Sequence, residues 1–309
     1  MTDTGLRVAL HVALLAVWPP LLLGVIGKTK AWFAGRQGPS LLQPYRDVAK
    51  CLRKGAVYSR TTTWAFCIGP VVALATTMTA GLLVPLAGAS GIVSFTGDFI
   101  VFAYLLGLGR FATAVAALDT GSSFEGMGAS REMAFSALVE PELFLVLATL
   151  ALETHSISFA PAFATLGYAS WSSHGAALLL AALALFVVLL AESSRVPIDD
   201  PATHLELTMI HEVMVLDHGG VDFGIILYGG AVKMFVIGAV LIQLLRPFPL
   251  RPPLPGAAWV AAGELAIGIL VGVVESSMAR LRLPRVPQFL IAAGVLAAIG
   301  AVMLLGATG

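Results

Sequence analysis

Six carboxylates, three histidines and an arginine crowd into one stretch, Glu192 to Gly220: ESSRVPIDDPATHLELTMIHEVMVLDHGG. The carboxylates are Glu192, Asp199, Asp200, Glu206, Glu212 and Asp217, and Arg195 lies among them. The run just before it, 176–191, contains only aliphatic residues and one Phe. Carboxylates beside a basic group and an apolar wall hold and pass protons, because burial and neighbouring charge move their affinity for a proton. The same chemistry is scattered through the apolar runs. Arg110 falls in 98–118, Glu140 and Glu142 flank Pro141 at the start of 134–157, and Glu153 lies near its far end. Lys233 is near the middle of 223–245, and Glu264 is in 257–275. An ionisable group at bilayer depth costs at least about 2.5 kcal/mol on insertion scales, so each needs a reason to be there. One reason is a hydrated polar path running from the acids of 192–222 through Glu140 and Glu142 to Lys233 or Glu264. The other is structural ion pairing, for instance Arg110 with Glu140, or contact with neighbouring subunits. Glu140 is the leading candidate, since it enters an apolar run directly beside the charged stretch. Pro141 loosens the local backbone ladder and offers a way to turn Glu140 and Glu142 in different directions.

These groups must be positioned by membrane helices. Of 309 residues, 58% are hydrophobic and 12% charged, against about 25% charged in a soluble domain. Stretches near the roughly 20 residues needed to cross a hydrocarbon core recur along the chain. The pattern predicts an all-α, polytopic membrane protein, a single transmembrane domain over 1–309. Its spans are 6–27, 64–87, 98–118, 134–157, 174–191, 223–245, 257–275 and 286–307. The first run follows Arg7 and ends in Gly27-Lys-Thr-Lys30 rather than a small-residue cleavage site, so it reads as a span and not a signal peptide.

Lys and Arg set the orientation. Connections 28–63, 119–133, 192–222 and 276–285 carry most of them, and only Arg7, Arg246 and Arg251 fall on the opposite side. Those four loops are expected in the cytoplasm and both termini outside, in the cell (inner) membrane. Within 28–63, Leu41, Leu42, Tyr45, Val48, Ala49 and Leu52 form one helical face, with Arg46, Asp47, Lys50, Arg53 and Lys54 on the others. An amphipathic cytoplasmic helix is expected there, either as an interfacial anchor on the lipid bilayer or beneath a partner protein. The proline-rich 246–256 is expected to be a stiff, non-helical external connector.

Several other patterns carry less. His204, His211 and His218 are spaced by seven and would share one face of a helix, but Gly219-Gly220 ends such a helix near the third. Ordinary polar histidines account for them, and no metal site is expected. His211-Glu212 is not part of H-E-x-x-H, because residue 215 is Val. Gly107-Leu-Gly-Arg-Phe-Ala112 matches G-x-G-x-x-A, but inside an apolar helix it lacks the βαβ context of a dinucleotide site. Its glycines read as helix-packing positions. The two cysteines, Cys51 and Cys67, exclude a self-contained iron–sulfur cluster. His11, His155 and His174 lie at the outer boundary, which does not suit a membrane haem, and nothing resembles a nucleophile with its base. Net charge is zero, so no nucleic-acid partner is indicated.

Two loop motifs carry a resemblance: Gly35-Arg-Gln-Gly-Pro-Ser-Leu-Leu-Gln-Pro-Tyr-Arg-Asp47 and the E-x-x-R-x-P-x-D-x-P pattern on Glu192, Arg195, Pro197, Asp199 and Pro201. Together they resemble the eight-helix subunit 1 family of respiratory complex I, which joins the hydrophilic arm to the membrane arm. DDPATHLELTMIHEVMVLD looks like the version found in the hydrogenase branch of that family, hydrogenase-4 component C and formate hydrogenlyase subunit 4. In the quinone-reducing branch the positions of Ala202 and His204 would be acidic, while Glu206 is kept. The resemblance implies a proton-coupling, membrane-anchoring subunit of an energy-converting [NiFe] hydrogenase, non-catalytic by itself. It implies no cofactor in this chain. The [NiFe] centre and iron–sulfur clusters would sit in a hydrogenase large subunit and an iron–sulfur small subunit on the cytoplasmic side, with antiporter-like subunits alongside in the membrane. Arg36, Gln43, Pro44, Arg46, Lys50 and Lys54 would then face the docked arm, and Arg195 would serve in ion pairing. Proton-coupling candidates are Glu140, Glu142, Glu192, Asp199, Asp200, Glu206, Glu212, Lys233 and Glu264. A quinone-binding subunit and a free-standing ion transporter are the alternatives; the chain shows no internal repeat of the kind that marks many transporters.

Overall fold

A computed structural model describes residues 3–199, 210–248 and 252–308. Among the described residues the chain is all-helical, and eight helices are long and apolar enough to cross a membrane. They are α1 (Asp3–Phe33), α3 (Trp64–Leu83), α4 (Asp98–Asp119), α5 (Ser123–Thr154), α7 (Tyr168–Glu192), α8 (Gly220–Leu244), α9 (Pro253–Ser277) and α10 (Val286–Thr308). Short helices α2 (Gln43–Leu52) and α6 (Phe159–Thr165), and 3-10 turns at Glu212–Val215 and Leu283–Arg285, complete the described elements.

Two boundaries depart from the sequence reading. The stretch 119–133 is expected from its charges to be a loop, yet α5 begins at Ser123. Those charges do not break the helix because their carboxylates are buried against the 210–217 segment: Glu125 accepts the Asp217 backbone N–H at 3.0 Å, and Glu132 lies 3.3 Å from His211. The stretch 246–256 is expected to be non-helical throughout, yet α9 starts at Pro253. Prolines in the first turn are compatible with a helix, since the N–H they lack would have no intrahelical partner there.

The core lies where α7 and α8 meet their neighbours. Leu185, Val188, Leu189, Val232, Phe235 and Val236 are fully buried. From Ala231 to Leu244 every residue of α8 is buried except Lys233, which faces a cavity. Large apolar side chains on the outside, such as Tyr104, Phe111, Leu118 and Val302, suit contact with lipid or other subunits. The amphipathic α2 forms where its pattern predicts. It lies across α1 and α8, with Tyr45 Oη donating to the Val17 carbonyl and Cys51 against Gly224.

Candidate functional site: a buried ion-pair cluster

Arg110 sits midway along α4 and is almost fully buried. Its Nη1 donates to Glu192 Oε1 at 2.5 Å and its Nη2 to Glu140 Oε1 at 2.5 Å. Lys233 Nζ on α8 reaches the other Glu192 oxygen at 3.4 Å. Four helices thus contribute two cations and two carboxylates to one connected group. Glu192 is buried between both cations, whereas the Glu140 side chain is 47% exposed. Close packing makes this possible: a Cβ on Gly107 would lie 3.3 Å from Glu140 Oε1, and one on Gly109 would lie 2.8 Å from Thr76 Oγ1. The glycines of the rejected dinucleotide pattern therefore act as packing positions.

The backbone after Glu192 fixes where the junction stretch goes. Ser194 adopts a left-handed φ of 54°. The Arg195 N–H donates to the Leu190 carbonyl at 2.9 Å and the Ser194 N–H to Ala191 at 3.2 Å. This pair of bonds terminates α7 as a Schellman turn does, leaving Glu192 in the last helical turn and aiming Arg195 away. Arg195 meets Glu275 of α9 at 3.3 Å, and Lys30 of α1 meets the same carboxylate at 2.7 Å. Asp199 accepts from Arg280 at 2.9 Å and from the backbone N–H groups of Ile210 and His211 at 3.2 and 3.1 Å. Leu281 N–H donates to the Pro197 carbonyl at 2.9 Å. The junction stretch is thereby clamped between α5, α9 and the 278–285 connection.

A cavity of about 290 Å³ opens beside the cluster. Arg110, Glu132, Glu192, His211, Glu212 and Lys233 line it on one side, and Leu23, Leu74, Leu106, Phe223 and Ile226 on the other. Chemically it offers proton-holding groups at the edge of an apolar chamber, with space for water.

The structure sorts the sequence candidates. Glu140, Glu192, Arg110 and Lys233 come together; Glu212 shares their cavity; Asp199 and Arg195 tie the adjoining loop. Glu142 and Glu264 are buried elsewhere, Glu142 against Gly294 of α10 and Glu264 against Gly238 of α8. Among the described residues no ion pair or hydrogen bond joins either to the cluster. Residues two apart on a helix point about 200° apart, and this separates Glu140 from Glu142. Pro141 is inside the unbroken α5, so it is not the cause. Asp200 and Glu206, with Ala202 and His204, lie outside the described residues. His211 and His218 do not share a helical face, because 212–215 is a 3-10 turn rather than a continuous helix. His211 faces Glu132, and the His218 ring stacks on Phe66 at 3.9 Å. Sequence reasoning misses Glu132, His211 as its partner, Glu275 and Lys30. Glu132 falls in a stretch whose charge imitates a loop, and the acid–base pairing of Glu275 crosses most of the chain length. Of the residues expected to face a docked arm, Gln43 donates to Asp47 at 2.8 Å one turn on, and Arg36, Arg46, Lys50 and Lys54 are exposed.

The NADH dehydrogenase family model matches residues 6–306. The chain belongs to this family, in its subunit 1 branch. Among relatives, it is 31% identical to formate hydrogenlyase subunit 4 of Escherichia coli over 276 residues, covering 87% of this chain and 88% of the relative. It is 29% identical to hydrogenase-4 component C of the same organism, covering 87% and 86%. It is 24% identical to a membrane subunit of the NADH-quinone oxidoreductase of Syntrophotalea carbinolica, covering 82% and 80%. The fold is shared with a chain of the membrane-bound sulfane sulfur reductase, an archaeal respiratory membrane complex, at a TM-score of 0.83 and 22% identity over 98% of this chain and 100% of that one. The chain is therefore a multi-pass membrane protein whose relatives are subunits of respiratory and hydrogenase complexes, as the two loop motifs implied.

Proposed function

We propose that this chain is the membrane-anchoring, proton-coupling subunit of an energy-converting [NiFe] hydrogenase of the formate hydrogenlyase type. It would join the soluble redox arm to the membrane arm. The observation that carries this reading is the Glu140–Arg110–Glu192–Lys233 group lining a cavity that also receives His211 and Glu212 of the junction stretch. Groups this close titrate together, so a charge change beside one alters the proton affinity of its neighbours. Electron transfer in a docked arm could supply that change through the clamped loop. The chain's own part is to hold protons on Glu140 and the cavity acids and to pass them toward antiporter-like neighbours. Redox chemistry at a [NiFe] centre and iron–sulfur clusters would belong to the large and small subunits docked on α2 and the junction loop. Gln43, Pro44, Arg46, Lys50 and Lys54 would present the α2 surface. The excess of Lys and Arg at this end supports a cytoplasmic side here, with both termini outside.

Purifying the intact complex through a tag on this chain tests the assignment. Co-purified nickel and hydrogen-linked electron transfer are the expected result. Quinone-dependent, inhibitor-sensitive turnover without nickel would replace it with the quinone-binding reading. The apolar wall of the cavity, Leu23, Leu74, Leu106, Phe223 and Ile226, is the observation that favours that second reading.

A further inference from the structure

A second groove, of about 690 Å³, lies away from the ion-pair cluster, between the end of α1, the returning 34–41 segment and α9. The segment after α1 folds back tightly onto it. Gly38 takes a φ of +63°, and a Cβ there would lie 2.3 Å from Ala31 Cβ. The Leu41 carbonyl presses so close to Gly24 that a Cβ would lie 2.1 Å from it. The fold-back sets two cations at the groove rim. Lys28 Nζ is held by the Gln37 carbonyl at 2.6 Å, and Arg36 comes one residue before Gln37. Neighbouring Lys30 is already paired with Glu275 at 2.7 Å. The groove lining contains Lys28 and Arg36 but no Asp or Glu. Its floor is apolar, Val25, Ile269 and Val273, and continues onto Leu270, which with Ile269 is about half exposed. Trp32, 76% exposed, and Phe33 stand beside the cations.

We propose that this groove seats one anionic phospholipid, its phosphate between Lys28 and Arg36 and an acyl chain along Val25, Ile269 and Val273. Three features choose a lipid over a protein segment or a free anion. The unneutralised cations lie at the ends of two membrane-spanning helices, at the level where headgroups sit. Exposed aromatics stand at that same level, as they do at membrane–water boundaries. The apolar floor runs away from the cations into the span region, which a headless anion would leave uncovered. The inference needs only the membrane placement of α1 and α9 and is independent of the hydrogenase assignment. It gives Arg36, grouped by its sequence context with the docking residues, to lipid instead.

Native mass spectrometry of the intact, detergent-purified complex tests the seat. The complex is incubated with phosphatidylglycerol, with phosphatidylcholine of the same chains, or with inorganic phosphate. The native complex is expected to retain phosphatidylglycerol over phosphatidylcholine. Lys28→Gln or Arg36→Gln should each weaken that retention by about 5-fold and the double variant by about 30-fold, from the attraction of one basic side chain to an anionic lipid surface. Arg60→Gln, which removes an exposed charge away from the groove, should leave retention unchanged. Equal retention by the double variant, or equal loss with Arg60→Gln, would overturn the seat. A phosphate adduct with no lipid, or loss of a neighbouring subunit at constant lipid content, would also overturn it by assigning the groove to an anion or a protein.

Discussion

The Arg110 guanidinium lies 2.5 Å from Glu192 Oε1 and joins the middle of α4 to the last residue of α7. Both side chains are buried. A charge-assisted contact of this length is among the stronger hydrogen bonds a protein makes. Because the second nitrogen of the same guanidinium holds Glu140, one cation is shared by a buried acid and a half-exposed one. Protonating Glu140 releases Arg110 toward Glu192. That shared cation is the physical link between an accessible proton site and the junction loop.

Arg110→Met should destabilise the assembled complex by about 3 kcal/mol, the lower end of the cost of stripping one partner from a buried pair. The lower end applies because Lys233 remains within 3.4 Å of Glu192. Thermal unfolding of the detergent-solubilised complex reads it. Adding Glu192→Gln to Arg110→Met should recover part of the loss, since the uncompensated charge is then gone.

Gly128→Leu should detach the junction segment while leaving the helices intact. A Cβ at that position would lie 2.3 Å from Val213 Cγ1 and 3.0 Å from the Ile210 carbonyl, so the segment must shift. Overpacking of this kind costs about 1–3 kcal/mol. Hydrogen exchange at 210–217 should accelerate with unchanged helical circular dichroism, and the soluble arm should co-purify less.

Acid should loosen the same segment through His218. Burial holds its imidazole below the usual histidine value, although Asp222 and Asp217 pull the other way. The folded state therefore binds the proton more weakly than the unfolded one. Stability is full above an unfolded value of about 6.5 and declines as pH falls toward the lower folded value. Hydrogen exchange at 216–220 should rise between about pH 6.5 and 5. His218→Phe, which keeps a ring against Phe66, should flatten that dependence; a profile unchanged by the substitution would remove His218 as its source.

Much of this arrangement can be read from the chain before any coordinates. Runs such as 176–191 and 223–245 are apolar all round, and no alternative to a buried or membrane helix accommodates that pattern. The periodic face of Leu42, Tyr45, Ala49 and Leu52 marks α2 for the same reason, and the Arg110–Glu140 pair follows from two opposite charges that both need a partner in an apolar setting. Glu132 stays hidden because charge in 119–133 imitates a loop, and only the fold brings His211 to cover it. The Lys30–Glu275–Arg195 bridge stays hidden because its members come from three distant parts of the chain, and periodicity carries no information about which helices become neighbours. Pro253 misleads because proline breaks a helix interior but not its first turn.

The central claim is that the shared cluster moves protons, and Glu140→Gln tests it most directly. Its carboxylate is half exposed, and Arg110 keeps Glu192 after the change, so assembly and electron transfer should stay near the native level. In proteoliposomes carrying the intact complex, a pH-sensitive dye should then report proton movement reduced to the uncoupled background at unchanged turnover. Proton movement per electron equal to that of the native complex would contradict the account.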